Sequence, residues 1–241
     1  MQWIRSLIYF VFMVLTAIGF GLLSVVLWPL PFKWRYGVIS QWARMNIPML
    51  KVICNLNYEV EGRENIPEQA SVILCKHQST WETMALQCIF PPQIWVLKKE
   101  LLKIPFFGWG LACLDPIAIN RKLKKKAMEQ VMEQGQQRLD SGRWVVIFPE
   151  GTRIPAGKKG KYQLGGARLA KHAGHLVVPV MHNAGEYWPK KGFLKTPGTI
   201  KVVIGKPIDP TNLTPDEIMR QTEEFIESNM KKHSTLDGVY S

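Results

Sequence analysis

The chain has 241 residues, of which 46% are hydrophobic, and this length suits one sizeable core with short appendages. Its 31 basic residues outnumber the 19 acidic ones, so the formal net charge of +12 favours anionic partners such as phosphorylated metabolites or anionic lipid headgroups. Because the sequence contains no helix-turn-helix, RNP-like or zinc-finger pattern, a nucleic-acid-binding protein is disfavoured.

The amino-terminal residues have the composition of a membrane anchor. Residues 6–32 carry no charged side chain, and a helix of this length can cross a hydrocarbon core of about 30 Å. A signal peptide is disfavoured because the apolar run is too long and has no small-residue cleavage site. Pro29 and Pro31 should end this helix, and an amphipathic helix is predicted over residues 38–52, lying either in the membrane interface or against the core. We therefore predict an anchor over residues 1–52 that spans the membrane once or dips into one leaflet as a helical hairpin.

The remaining residues, 53–241, alternate between strand-like and helix-like patterns. Apolar runs predict strands at residues 55–61, 71–76, 94–97, 117–120, 144–148, 176–181 and 200–204. Helices are predicted at residues 81–89, 122–139, 165–172 and 215–232, the last of them capped by Thr214. Near-continuous apolar strands between helices predict an α/β domain with a largely parallel central sheet and helices on both faces.

A histidine and a carboxylate stand five residues apart after the strand predicted at 71–76. His77 and Glu82 would point in different directions on one continuous helix, so they meet only if His77 lies in a turn and Glu82 in the first helical turn. The neutral imidazole could then remove a proton from an alcohol while the carboxylate orients it. A competing interpretation is that Ser79 and Glu82 form a capping box, in which the carboxylate only binds a backbone N–H.

A second motif, with the sequence Phe-Pro-Glu-Gly-Thr-Arg at residues 148–153, follows the strand predicted at 144–148. Together with His77 and Glu82, this motif resembles the glycerolipid acyltransferase family, and within it the bacterial 1-acyl-sn-glycerol-3-phosphate acyltransferases. Residues 115–121 and 177–180 are similar to two further blocks of that family, in the same order. The family's first block usually ends in Asp, whereas this chain has Glu82 at that position.

The resemblance implies roles for individual residues. His77 would be the general base and Glu82 its orienting partner. Substrate ligands would be Arg121, Glu150, Gly151, Thr152, Arg153 and Lys99. The arginines suit a phosphate group because a guanidinium donates two parallel hydrogen bonds. Neither a metal nor a cofactor is expected, and the four cysteines lack the spacing of a zinc site or a disulfide framework.

The resemblance also implies a reaction and a location. The enzyme would move an acyl group from acyl-CoA or acyl-carrier protein to the sn-2 hydroxyl of 1-acyl-sn-glycerol 3-phosphate, which yields phosphatidic acid. It would work at the cytoplasmic membrane, with its α/β domain on the cytoplasmic side. Two alternatives stay open: another acceptor, such as glycerol 3-phosphate, a different lysophospholipid or a lipid A precursor, and a lipid-binding membrane protein without catalytic activity.

Overall fold

A seven-stranded sheet forms the centre of the molecule in a computed structural model that describes residues 1–236, with the side chains of residues 1–123 and 125–236. The last part of the predicted α/β domain, residues 237–241, lies outside the described residues. The strands are β1 (Leu56–Glu61), β2 (Val72–Cys75), β3 (Gln93–Lys98), β4 (Ile117–Ile119), β5 (Trp144–Ile147), β6 (Val177–His182) and β7 (Gly198–Ile204). All seven coincide with predicted strands to within a few residues.

The strand order is β1-β7-β6-β2-β5-β3-β4, and within residues 1–236 every neighbouring pair runs parallel except β6 and β7. The central strand β2 is buried along its whole length, with Ile73 aligned to Val178 of β6 on one side and Val146 of β5 on the other. The prediction of a largely parallel α/β sheet is therefore confirmed. Since β2, β3, β4, β5 and β6 share one direction, their carboxyl ends lie along one edge.

Nine α-helices lie in the described part of the chain. They are α1 (Gln2–Leu27), α2 (Phe32–Ile39), α3 (Gln41–Cys54), α4 (Trp81–Ile89), α5 (Phe107–Cys113), α6 (Lys124–Asp140), α7 (Gly165–Ala173), α8 (Ala184–Tyr187) and α9 (Pro215–His233). Short 3₁₀ turns occupy Arg63–Asn65 and Lys99–Lys103. Helices α6, α7 and α9 pack together on the sheet, and α1, α3, α4 and α5 form a second helical layer.

Helix α1 has 26 residues and is long and apolar enough to cross a membrane. Only 11% of its most apolar 18-residue window is buried in the protein, so most of its surface is free to contact lipid. Its protein-facing side includes Tyr9, which packs edge-on against Trp188 near the end of α8. Helix α1 is therefore a candidate membrane anchor that is also attached to the α/β domain.

The second predicted anchor helix, at residues 38–52, corresponds mainly to α3, while residues 38 and 39 are the end of the separate helix α2 and Ser40 lies between the two helices. Ala43, Ile47 and Leu50 of α3 are buried in the same core as the sheet, which favours the core-packing interpretation for this face of the helix. The predicted boundary between residues 52 and 53 falls inside α3, which ends at Cys54. Structurally, α3 belongs to the α/β domain as much as to the anchor.

Candidate active site

His77 and Glu82 form a direct contact at the carboxyl end of β2. The backbone N–H of Lys76 extends the strand pairing to Val180, and the chain then turns before α4 begins at Trp81. His77 lies in this turn and Glu82 in the first turn of α4, so His77 Nδ1 is 2.8 Å from Glu82 Oε1. This is the arrangement in which two residues five positions apart can meet.

The Glu82 carboxylate also binds the backbone at the start of α4. It accepts hydrogen bonds from the N–H of Gln78 at 3.1 Å and of Ser79 at 2.9 Å, while the Ser79 hydroxyl accepts one from the N–H of Trp81. Glu82 is completely buried, so these donors replace the water that it loses. The same carboxylate thus binds backbone N–H groups before the helix and contacts the imidazole. The reciprocal capping box is not formed, because the N-cap is Thr80 and the Ser79 hydroxyl accepts the N–H of Trp81 instead of that of Glu82.

The surroundings of Glu82 keep its carboxyl ionised. Burial acts to raise the pKa of Glu82, but the hydrogen bonds with His77 and from the N–H of Ser79 act in the opposite direction, and the pKa is lowered overall. A carboxylate that stays negative can hold the Nδ1–H of the neutral His77 ring. The other ring nitrogen, Nε2, is then the hydrogen-bond acceptor.

The ring of His77 is held in place while one edge stays accessible. It stacks on the ring of Phe148 with 3.9 Å between centroids and 13° between planes, and 15% of the side chain is exposed. Nε2 has no hydrogen-bond partner within residues 1–236, and His77 lines a cavity of about 320 Å³. This volume is within the range of small-molecule binding sites.

The walls of this cavity combine an apolar surface with several cations. The apolar lining comes from Trp42, Trp95, Val96, Leu97, Leu101, Phe107, Leu111 and Phe148. The polar lining comes from Thr80, Thr83, Gln87, Lys98, Arg121, Thr152, Arg153 and Lys190, together with the backbone of Gly151. A ligand with an acyl chain and an anionic group fits this division. Within residues 1–236, no three His, Cys, Asp or Glu side chains are grouped so that they could hold a metal ion.

Five of the predicted site residues meet His77 around this cavity: Glu82 behind the imidazole, and Arg121, Gly151, Thr152 and Arg153 in the lining. Arg121 follows β4 and donates a hydrogen bond to the carbonyl of Gly151. Gly151 has a φ of 66°, a left-handed conformation that glycine adopts without strain, and this turn directs the next two side chains into the lining. The Nε of Arg153 is buried without a hydrogen-bond partner among the described residues.

Two predicted substrate ligands lie elsewhere. The Glu150 side chain is fully buried, and its oxygens contact Lys76 Nζ at 2.9 Å and accept the N–H of His77 at 2.9 Å. Its carboxylate therefore faces the interior instead of the cavity, and direct substrate contact by Glu150 is corrected to an internal ion pair. Lys99 is exposed on the 3₁₀ turn and does not line the cavity, whereas its neighbour Lys98, at the end of β3, does.

Lys190 and His182 are polar residues near the site that lie outside the four sequence blocks. Lys190 lies after α8, lines the cavity and donates a hydrogen bond to Thr152 Oγ1 at 3.3 Å. His182 ends β6, is buried, and contacts Lys76 O through Nε2 at 2.8 Å, while its Nδ1 accepts the N–H of Ala184. Burial lowers the pKa of His182, which holds this ring neutral. The only sequence signal for His182 is its position at the end of an apolar strand.

Comparisons with known proteins agree with the fold and identify the family. A family model described as Acyltransferase matches residues 57–183. A 1-acyl-sn-glycerol-3-phosphate acyltransferase of Pseudomonas aeruginosa is 47% identical over 240 residues, which cover 98% of this chain and 93% of the relative. One from Saccharomyces cerevisiae is 30% identical over 90% of this chain and 73% of its own length.

Among solved structures, the 1-acyl-sn-glycerophosphate (LPA) acyltransferase PlsC from Thermotoga maritima superposes with a TM-score of 0.79 at 26% sequence identity. The superposition covers 98% of this chain and 99% of PlsC, so it includes the amino-terminal helices as well as the sheet. The length of these matches and the site at the end of β2 lead to one conclusion: the chain belongs to the 1-acyl-sn-glycerol-3-phosphate acyltransferase family.

Proposed function

We propose that this protein transfers an acyl group from acyl-CoA or acyl-carrier protein to the sn-2 hydroxyl of 1-acyl-sn-glycerol 3-phosphate and so forms phosphatidic acid. The observation that carries the proposal is the 2.8 Å contact between His77 and Glu82 on the wall of a cavity that also holds Arg121 and Arg153. The names of the relatives support the choice of acceptor.

His77 acts as the general base in this reaction. Its Nε2 takes the proton of the sn-2 hydroxyl as the oxygen attacks the thioester carbonyl carbon, and Glu82 stabilises the imidazolium that forms. The tetrahedral intermediate then collapses with cleavage of the carbon–sulfur bond. The departing thiolate recovers the proton from His77, so the enzyme returns to its starting state without an acyl-enzyme.

The cations of the cavity hold the phosphate of the acceptor. Arg121 and Arg153 lie in the lining, and a guanidinium can bind two phosphate oxygens at once. A buried N–H donor without a partner destabilises the protein. A phosphate oxygen that accepts a hydrogen bond from the buried Nε of Arg153 would remove this cost. Lys190, held against Thr152, adds a third positive charge. The reaction as proposed needs only the two substrates and no further cofactor.

The proposed location is the cytoplasmic membrane, with the active site on the cytoplasmic side where acyl donors occur. Support comes from the apolar α1, which is attached to the α/β domain, and from the excess of basic residues, which suits an anionic membrane surface. Protease added outside spheroplasts should leave the α/β domain intact and should cleave it after lysis. Cleavage of that domain in intact spheroplasts would contradict this orientation.

An acceptor panel tests the proposed function. Purified protein in detergent micelles receives one acyl-CoA or acyl-carrier protein and, in separate reactions, 1-acyl-sn-glycerol 3-phosphate, glycerol 3-phosphate, a lysophosphatidylcholine or an underacylated lipid A precursor. We expect efficient turnover with the first acceptor only. Preferred acylation of another acceptor would change the assigned substrate, and binding without turnover for all of them would favour a non-catalytic lipid-binding protein.

A further inference from the structure

Directly beside His77 lies a buried ionic cluster that the reaction described above does not use. Lys76 has no exposed side-chain surface, and its Nζ lies 2.9 Å from Glu150 Oε1 and 2.7 Å from Glu227 Oε1. Tyr162 donates a hydrogen bond of 2.6 Å to the same oxygen of Glu227. The cluster therefore joins three parts of the chain: the end of β2, the turn after β5 and helix α9.

Glu150 connects this cluster to the backbone of His77. One carboxylate oxygen contacts Lys76 Nζ, and the other accepts the N–H of His77 at 2.9 Å. The carbonyl of His77 accepts the N–H of Ile154 at 2.8 Å, and the carbonyl of Lys76 is 2.8 Å from Nε2 of His182. Together with the strand bond from the N–H of Lys76, these contacts fix the backbone on both sides of the imidazole.

The charge of Lys76 balances the buried carboxylates of Glu150 and Glu227. Burial raises the pKa of Glu150, while the ammonium of Lys76 opposes this change. Burial would also lower the pKa of Lys76, but Glu150 and Glu227 outweigh it, and the pKa of Lys76 is raised. Without the lysine, two carboxylates would be left in the interior without a counter-charge, and a buried charge without a partner is strongly destabilising.

We propose that Lys76, together with Glu150 and Glu227, forms a positioning cluster that fixes the backbone of His77 and thereby directs its Nε2 toward the acceptor hydroxyl. The inference rests on the proposed function, because it assigns His77 the role of the base. It extends that function by giving a role to a lysine and to a residue of helix α9 that do not line the cavity.

A positioning role has a different kinetic effect from a substrate-binding role. The cluster faces the interior and the phosphate-binding arginines line the cavity, so loss of the cluster should leave acceptor binding largely unchanged. The rate of proton transfer, in contrast, depends on the position of the imidazole, and a displacement of about 1 Å costs on the order of 100-fold in rate. The expected signature is a lower kcat with little change in KM.

The test compares four forms of the full-length protein in acyl transfer to 1-acyl-sn-glycerol 3-phosphate: wild type, Lys76→Met, Glu150→Gln and the triple variant Lys76→Met/Glu150→Gln/Glu227→Gln. Each single change should lower kcat by about 10- to 100-fold at nearly constant KM. The triple variant removes all three charges of the cluster, and the amide oxygen of the glutamine at position 150 can still accept the N–H of His77. Its kcat should therefore recover to within about tenfold of the wild type.

Lys159→Met is the matched control. Lys159 also pairs with a glutamate of helix α9, Glu223, which lies one turn before Glu227, but the Lys159 side chain is 57% exposed. It should keep the wild-type kcat. Circular dichroism and the thermal unfolding midpoint report folding for every variant. If Lys76→Met does not accumulate in folded form, the triple variant decides, since it leaves no charge in the cluster.

The inference is overturned if folded Lys76→Met keeps its kcat, if only its KM rises, or if the folded triple variant stays inactive. Failure of the proposed function gives a different result, namely no acyl transfer by the wild type itself.

Discussion

A single carboxylate, that of Glu82, both orients the imidazole of His77 and binds the backbone amides at the start of α4. Glutamate stands here where the resemblance leads one to expect aspartate. The additional methylene is accommodated because Glu82 lies one residue inside the helix, with its side chain turned back over the preceding turn. The proposed catalytic role and the local fold therefore depend on the same side chain.

Replacing Glu82 with Gln tests this dual role. The amide cannot accept a hydrogen bond from His77 Nδ1 and from two backbone N–H groups with the same strength, so the imidazole loses its preferred tautomer. We expect kcat to fall by about 10²- to 10⁴-fold. Steady-state kinetics measure the effect, and Glu68→Gln, a change in an exposed loop, is the control. A folded Glu82→Gln enzyme with wild-type kcat would contradict the orienting role.

Sequence reasoning predicted the location of residues whose position follows from local spacing. His77, Glu82, Arg121 and Arg153 follow strand ends or begin a helix, and parallel strands bring such positions to one edge of the sheet. It failed for Glu150, because the direction of a side chain in a turn depends on its partner. That partner, Lys76, is 74 positions away in the chain, and nothing in the local sequence links the two.

At the scale of secondary structure, the helix bounds followed patterns that the sequence displays directly. Helix α9 begins with a capping box between Thr214 and Glu217, and α4 has the predicted bounds. Helix α5 and the 3₁₀ turn before it were not predicted. Helix α5 has two glycines in seven residues, which lowers its intrinsic helix propensity, so packing against α1 determines its conformation.

The contact between α1 and α5 depends on a glycine. A Cβ at Gly21 would lie 2.5 Å from the carbonyl oxygen of Phe106, and the backbone there has no room to move away. A Cβ at Gly19, two positions earlier on the same helix, would have no heavy atom within 4 Å. These two glycines form a matched pair for measuring how closely the anchor helix is attached.

We expect Gly21→Ala to destabilise the protein by about 1–3 kcal/mol through overpacking. Gly19→Ala should be neutral or stabilising by up to about 1 kcal/mol, because alanine favours the helix. Thermal unfolding in detergent micelles gives both values. Equal unfolding midpoints for the two variants would show that α1 does not pack closely against Phe106.

For the whole molecule, the anchor and the reaction centre form one unit. Trp42 of α3 lines the cavity next to His77, and its Nε1 donates a hydrogen bond to Thr16 of α1 at 3.1 Å. The predicted division into an anchor, residues 1–52, and an α/β domain, residues 53–241, does not describe this contact. Hydropathy identifies the apolar helix, but it contains no information about which of its faces packs against the protein.

The stability of the whole fold should depend on the neutral state of His182. Its pKa is lowered from an ordinary value of 6.5, mainly by burial, so below that pH the unfolded chain binds a proton that the folded protein excludes. This contribution to stability is complete above pH 6.5 and is lost as the pH falls toward the folded-state pKa. The lowered pKa of Glu82 affects the stability in a different pH range, because its contribution is lost only as the pH falls below the ordinary carboxyl pKa of 4.5.

We therefore expect the unfolding midpoint of the wild type to fall between about pH 7 and pH 5. His182→Gln should be less stable at pH 7 but should lose less stability over the same interval, because glutamine does not titrate. Thermal unfolding at a series of pH values compares the two slopes. Parallel slopes would assign the acid sensitivity to other groups.

The central claim is that His77 is the base that activates the acceptor hydroxyl. A single-turnover measurement with His77→Ala tests it most directly, with enzyme in excess over 1-acyl-sn-glycerol 3-phosphate and saturating acyl donor. The account predicts unchanged acceptor binding and an acyl-transfer rate reduced by at least about 10²- to 10⁴-fold, the usual contribution of a general base. A folded His77→Ala protein that forms phosphatidic acid at a rate within a few-fold of the wild type would contradict it.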